Sequence, residues 1–208
     1  MGFYAESILP RAIDWVMRGE EFQKIRRRYL GACRGTVLEV GFGSGLNLPH
    51  YPAEVTRLYA LDPARLGRKL AAERLSRAPF PVEFLDLQNT RIPLPDEAVD
   101  TVVTTWTLCT IPKVRDALQE MMRVLIPAGR YVFVEHGLSP EPGVARWQNR
   151  LTPLQKCLAG GCHLNRKIDA LITGAGFRIE SLDTFYFPAP RIFAWTYAGH
   201  AVKPPKAA

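Results

Sequence analysis

Three carboxylates and a cluster of glycines are the residues of this chain whose types and spacing can do chemistry. Leu38-Glu-Val-Gly-Phe-Gly-Ser-Gly-Leu46 joins an apolar run (Val37, Leu38, Val40) to a turn at Gly41, Gly43 and Gly45. Such glycines let the backbone bend tightly and approach a ligand closely. A dinucleotide fingerprint requires Gly-x-Gly-x-x-Gly, with a pyrophosphate on the helix N-terminus. Here the third glycine arrives one residue early, and Leu46 fills the place it should occupy. Glu39, just before the loop, puts negative charge where a pyrophosphate is repelled and a cation is welcomed.

Two more acids end strand-like runs. Leu58–Leu61 ends in Asp62-Pro63, about twenty residues past the loop, where a carboxylate can accept both ribose hydroxyls. A dinucleotide site would share that feature. Val82–Leu85 ends in Asp86-Leu87, suited to take an adenine amino group and cover the ring. Glu39, Asp62 and Asp86 together form a rim for a cationic nucleoside. S-adenosylmethionine fits, since its sulfonium and ammonium are positive and it carries no phosphate. The plain alternative makes the glycines tight turns and the acids helix caps.

These groups need a layered scaffold, and the remaining pattern supplies one. Leu66–Leu75 has helical spacing, and Val114, Leu118, Met121, Met122 and Leu125 form an apolar stripe that Pro127-Ala-Gly129 ends, so the methionines belong to the core. Asp169–Ala175 reads as a late helix closed by Gly176. Arg178–Leu182 and Ile192–Tyr197 read as strands separated by Pro188 and Pro190. The alternation predicts a doubly wound α/β fold. A length of 208 residues and 47% hydrophobic content fit one domain, with Lys203–Ala208 a fraying tail.

From Thr36 to Val202 the sequence resembles a class I S-adenosylmethionine-dependent methyltransferase. Leu38–Gly45 is similar to that family's first motif, Asp62 to its ribose acid and Asp86-Leu87 to its adenine contact. Ala98–Thr105 resembles its fourth-strand motif, and Leu125–His136 its helix-turn-fifth-strand element. The resemblance implies a Rossmann-like seven-stranded sheet with a late antiparallel hairpin over residues 36–202. Asn47, Pro63 and Thr105 join the expected cofactor contacts. Short ordered matches, among them Gly45-Leu-Asn47, Tyr51-Pro52, Leu108-Cys109, Glu135-His136-Gly137, Trp147-Gln148, Gly161-Cys162 and Leu164-Asn165-Arg166, resemble the methyltransferase-like 7 branch, the thiol methyltransferases. That similarity implies a small alkyl thiol as acceptor. His136 would assist thiol ionisation, with Cys109, Trp147, His163 and Arg166 lining the acceptor side. His136 can equally be a loop-holder and Cys109 an apolar filler. A lipid amine or quinone is the alternative acceptor, and a binding module without turnover is the alternative of another class.

Residues 1–35 carry the stripe Ile8, Leu9, Ala12, Ile13, Val16 and Met17 with Arg18, Lys24 and Arg26–Arg28 behind it. Three readings stand: a lid over the cofactor cleft, a helix packed on the core, or a foot in a lipid headgroup layer through residues 1–30. The net charge of +7 is spread along the chain, and no aromatic-basic interleaving points to specific nucleic acid binding. Without a signal-peptide core or a spanning run the expected address is cytoplasmic, with or without peripheral membrane contact. The four cysteines lack CxxC pairing, and Cys157, Cys162 and His163 match no common zinc pattern, so no metal is expected.

Overall fold

The predominantly apolar runs form the centre of a seven-stranded sheet, as burial on both faces requires. The computed structural model describes residues 4–63, 65–87 and 91–205. Its strands are β1 (Gly35–Val40), β2 (Val55–Leu61), β3 (Val82–Leu85), β4 (Val99–Thr105), β5 (Leu125–His136), β6 (Arg178–Tyr186) and β7 (Trp195–Val202). They lie in the order β3-β2-β1-β4-β5-β7-β6. The first five run parallel, and β7 inserts antiparallel between β5 and β6. This is the Rossmann-like sheet with a late hairpin that the sequence predicts. Strand order reverses between β1 and β4, which opens a crevice at their carboxyl ends.

The helices are α1 (Leu9–Met17), α2 (Glu20–Leu30), α3 (Arg65–Leu70), α4 (Ala72–Ser76), α5 (Val114–Val124), α6 (Pro142–Leu158), α7 (Ile168–Gly174) and α8 (Arg191–Ala194). Alternating residues of β5 divide between two cores. Tyr131 and Phe133 pack with Leu118 and Met121 of α5 and Ile172 of α7, while Val132 and Val134 pack with Leu30 of α2. Met121 is buried, as expected of a core residue.

Some boundaries differ from the sequence reading. Ile192–Tyr197 is not one strand: residues 191–194 form α8, and pairing with β6 begins only at Tyr186↔Trp195. Pro188 and Pro190 keep the connection out of the ladder, and the Phe187 N–H donates to the Ala194 carbonyl at 2.8 Å to close it. Leu66–Leu75 is interrupted at Ala71. Lys203 does not fray. Its backbone exchanges bonds with Ala128 and Gly129 at 3.0 Å each, and its Nζ donates to the Leu125 carbonyl at 2.6 Å. Of the expected tail, residues 206–208 lie outside the described residues.

The N-terminal segment is helical from residue 4, and residues 1–3 of it lie outside the described residues. Buried Asp14 pairs with Arg18 and, at 3.3 Å, with Arg74, which also donates to the Ser44 carbonyl at 2.7 Å. That chain of contacts ties α1 to the glycine loop. Tyr29 of α2 donates to Asp183 of β6 at 2.7 Å. No helix among the described residues is long and apolar enough to cross a membrane.

Candidate active site

The chain leaves β1 through three glycines with positive φ, Gly41 (83°), Gly43 (54°) and Gly45 (73°). A side chain at Gly41 would place its Cβ 2.1 Å from Thr107 Oγ1. Gly43 meets nothing nearer than 4.0 Å on that side, so its face is open to a ligand. Its N–H donates to Asp62 Oδ2 at 2.7 Å, which fixes the loop to the end of β2. Asp86 and Leu87 follow β3, and the exposed Asp86 carboxylate accepts from Arg68 at 2.7 Å. Asp62, Pro63, Asp86 and Leu87 share a cavity of about 610 Å³. It meets a second cavity of about 1180 Å³ at Asp62, Pro63 and Leu87.

A buried polar network forms the floor of the larger cavity. Glu39 accepts from Tyr51 Oη at 2.7 Å and from Asn47 Nδ2 at 2.8 Å. Asn47 also donates to Thr105 Oγ1 at 3.0 Å, and its Oδ1 accepts from Arg26 Nε at 3.0 Å. Burial pushes the Glu39 carboxyl up to about 8, against the bonds from Tyr51 and Asn47 and the charge of Arg26. Arg26 is only 3% exposed, and burial lowers it to about 10, so it remains a cation at neutral pH. Its guanidinium lies 4.9 Å from the Trp106 ring centroid and donates to the Met17 carbonyl at 2.8 Å. A carboxyl and a guanidinium held this close can receive the ammonium and the carboxylate of an amino acid. The sequence reading placed Arg26 in a basic helix face and did not foresee its burial in the cavity floor. It met Tyr51 only as part of a motif match.

Trp106, which lines the cavity beside Arg26, takes a positive φ of 51°, a strained conformation for a bulky residue. Beyond it, Cys109, His136 and Cys162 come together from the turn after β4, the end of β5 and the loop after α6. His136 Nε2 is 2.8 Å from Cys162 Sγ. The hydrogen bond from Cys109 and the nearby imidazole bring the Cys162 thiol down against the effect of burial, while Cys109 is held well above the usual thiol range. Cys109 and His136, both expected on the acceptor side, line the same cavity. Cys162, met in a zinc spacing and in the Gly161-Cys162 match but not named as a site residue, is the third member of the cluster. Cys157 of that spacing is exposed.

The other acceptor-side residues sit differently. Trp147 is 55% exposed on α6 and lies under Arg150, outside the cavity lining. The inward residue of that pair is Gln148, which donates to the Gly137 carbonyl at 3.0 Å. A one-residue step turns a helix position by about 100°, which the short motif could not resolve. His163 and Arg166 also stand outside the lining and brace the loop instead. His163 N–H donates to the Cys109 carbonyl at 2.8 Å, and Arg166 donates to the Leu108 carbonyl.

With this geometry in hand, relatives place the chain. Residues 38–133 match the family described as Methyltransferase domain. The thiol S-methyltransferase TMT1B of Rattus norvegicus is 34% identical over 171 residues, 79% of this chain and 67% of that protein. The phosphatidylethanolamine N-methyltransferase of Cereibacter sphaeroides is 32% identical over 161 residues, 70% of this chain and 72% of that protein. For the human TMT1B the match takes in 62% of its length. A SAM-dependent methyltransferase from Aquifex aeolicus shares the fold with a TM-score of 0.61 at 20% identity, covering 93% of this chain and 97% of that one. The chain belongs to the class I methyltransferases, enzymes that use S-adenosylmethionine as methyl donor.

Proposed function

We propose that the acceptor is a small thiol, methylated by direct in-line displacement. The observation that carries this reading is one cavity running from Glu39 and Asp62 to Cys109, His136 and Cys162. Similarity to the rat thiol S-methyltransferase supports it. In the proposed pose the adenine lies against Asp86 and Leu87, the ribose on Asp62, and Gly41 and Gly43 lie along the donor, while Gly45, expected as a third contact, is buried against Phe42, Leu48 and Ala71 and shapes the turn instead. Glu39 and Asn47 take the ammonium and Arg26 the carboxylate. Thr105 and Pro63 complete the walls.

The acceptor sulfur attacks the methyl carbon, the carbon–sulfonium bond breaks with its electron pair going to the departing sulfur, and neutral S-adenosylhomocysteine remains. Such a step needs no protein nucleophile, and proximity and alignment can supply most of the rate. The acceptor must lose its proton, and this is assigned to the cluster that contains His136. Ile13, Val16, Met17 and Phe22 of the N-terminal segment also line the cavity, which supports the lid reading. In that reading the segment excludes water during transfer.

The test is to supply methyl-labelled S-adenosylmethionine with an alkyl thiol, a phosphatidylethanolamine dispersion and a reduced quinone in competition. A labelled thioether as the dominant product is expected. A second reading, a lipid amine acceptor, draws on the Cereibacter sphaeroides relative and on Trp15, 77% exposed on α1. Label found chiefly on the lipid amine would replace the thiol assignment with that one.

A further inference from the structure

Within the reading of a thiol acceptor, we propose that Cys109, His136 and Cys162 form a three-ligand site for zinc, whose fourth position faces the acceptor cavity. One ligand atom from each lies within 4.8 Å of the others. Tetrahedral zinc holds such sulfur and nitrogen donors about 3.5–3.8 Å apart, from bonds of about 2.3 and 2.1 Å. His136 and Cys162 reach that spacing with a sub-ångström parting from 2.8 Å, and no pair starts more than 4.8 Å apart. Two thiolates and one imidazole with an open position is a donor set of catalytic zinc sites, and soft thiolates favour zinc over magnesium or calcium.

The scaffold holds the three ligands before any ion arrives. Leu108, next to Cys109, donates its N–H to Glu135 Oε2 at 3.0 Å, which locks the first ligand's turn to the strand that bears the second. The His163 N–H donates to the Cys109 carbonyl at 2.8 Å, locking the third ligand's loop to the first. The Leu138 N–H donates to the Arg166 carbonyl at 2.8 Å, binding that loop to the segment after His136. A Cβ on Gly137 would lie 2.5 Å from the Arg166 carbonyl oxygen, so this approach requires the glycine. Each pair of ligand segments is thus fastened by hydrogen bonds that the ligand side chains do not make. Cys109 and Cys162 are buried and unbridged, and all three residues line the same cavity as Glu39 and Asp62.

The ion gives the acceptor a defined place. A thiol entering the fourth position releases its proton to solvent and binds as thiolate. The thiolate sulfur then forms a bond to the donor methyl carbon as the carbon–sulfonium bond breaks. The product is a thioether, a weaker zinc ligand, which leaves. Zinc undergoes no redox change, and His136 serves as a ligand rather than as a base.

The test begins with the full chain, loaded with Zn²⁺ and freed of excess metal, for elemental analysis. About one zinc per chain is expected, and Co²⁺ in its place should give tetrahedral absorption with a thiolate charge-transfer band. Cys109→Ser and Cys162→Ser should each lower retained zinc at least tenfold while still binding S-adenosylhomocysteine, which shows that they fold. Failure of wild type to retain zinc, or cobalt spectra without thiolate bands, overturns the site. Thiol methylation that persists undiminished after zinc removal overturns its role and leaves the thiol reading standing. Stoichiometric zinc with label only on an amine supports the site and overturns the thiol reading.

Discussion

The two ends of the cavity are built in opposite ways. At the cofactor end, Glu39, the glycine loop and Asn47 fall within a nine-residue stretch of chain, and Asp62 closes on Gly43 across adjacent parallel strands. At the acceptor end, Cys109, His136 and Cys162 come from three segments, each about 26 residues from the next. Local geometry therefore sets the donor site, and long-range packing sets the acceptor site. The contrast teaches that one fold can keep its donor while changing acceptors, since the second end is assembled from segments far apart in sequence.

Substitutions should divide along the same line. The largest effect is expected for Gly41→Val, which meets Thr107 and must hold a positive φ. Calorimetry should show S-adenosylhomocysteine affinity reduced by about 3 kcal/mol or more. Near-normal affinity would mean the loop can move aside. Asp62→Ala follows, with a loss of about 1.5–3 kcal/mol, the scale of hydrogen bonds to a charged group. Arg26→Met should cost about 1.5 kcal/mol with S-adenosylhomocysteine and almost nothing with 5′-methylthioadenosine, which lacks the amino-acid carboxylate. Equal losses with both ligands would remove Arg26 from the carboxylate site.

A subtler effect separates the ends by pH. Burial raises the folded Glu39 pKa to about 8, so below that value the free protein holds a proton there. An ammonium bound beside it favours the carboxylate, so cofactor binding at pH 6.5 should release close to one proton, read by calorimetry in buffers of different ionisation enthalpy. Glu39→Gln should abolish that release. The sign for stability follows. Because the folded pKa exceeds the unfolded one, the contribution of neutral Glu39 is fully present below the unfolded value of about 4.5 and is lost as pH rises through about 8. The smallest effect is expected for Trp147→Ala. This exposed residue should change transfer and stability by under about 0.5 kcal/mol.

Legibility in the sequence follows the same division. Leu38–Gly45, Asp62 and Asp86-Leu87 could be read because a strand end, a glycine turn and an acid are contiguous. The parallel core could be read because its strands carry short runs of apolar residues, such as Val37-Leu38, Val102-Val103 and Tyr131–Val134. Arg26 escaped because a buried arginine and a surface one look alike in an amphipathic helix, and only Asn47 and Trp106 show which it is. Cys162 escaped because its partners are distant in sequence. Trp147 was misplaced because a two-residue motif does not carry helix phase. Ile192–Tyr197 looked like a strand because its β-forming residues carry no mark of where ladder pairing begins.

The most direct test of the account is a single turnover. Enzyme loaded with one equivalent of ¹³C-methyl S-adenosylmethionine is mixed with excess small alkyl thiol, and both products are identified by mass spectrometry. The account predicts labelled methyl thioether and S-adenosylhomocysteine in equal amounts. Intact cofactor in the presence of thiol, together with prompt transfer of the label to a lipid amine or a reduced quinone, would contradict it.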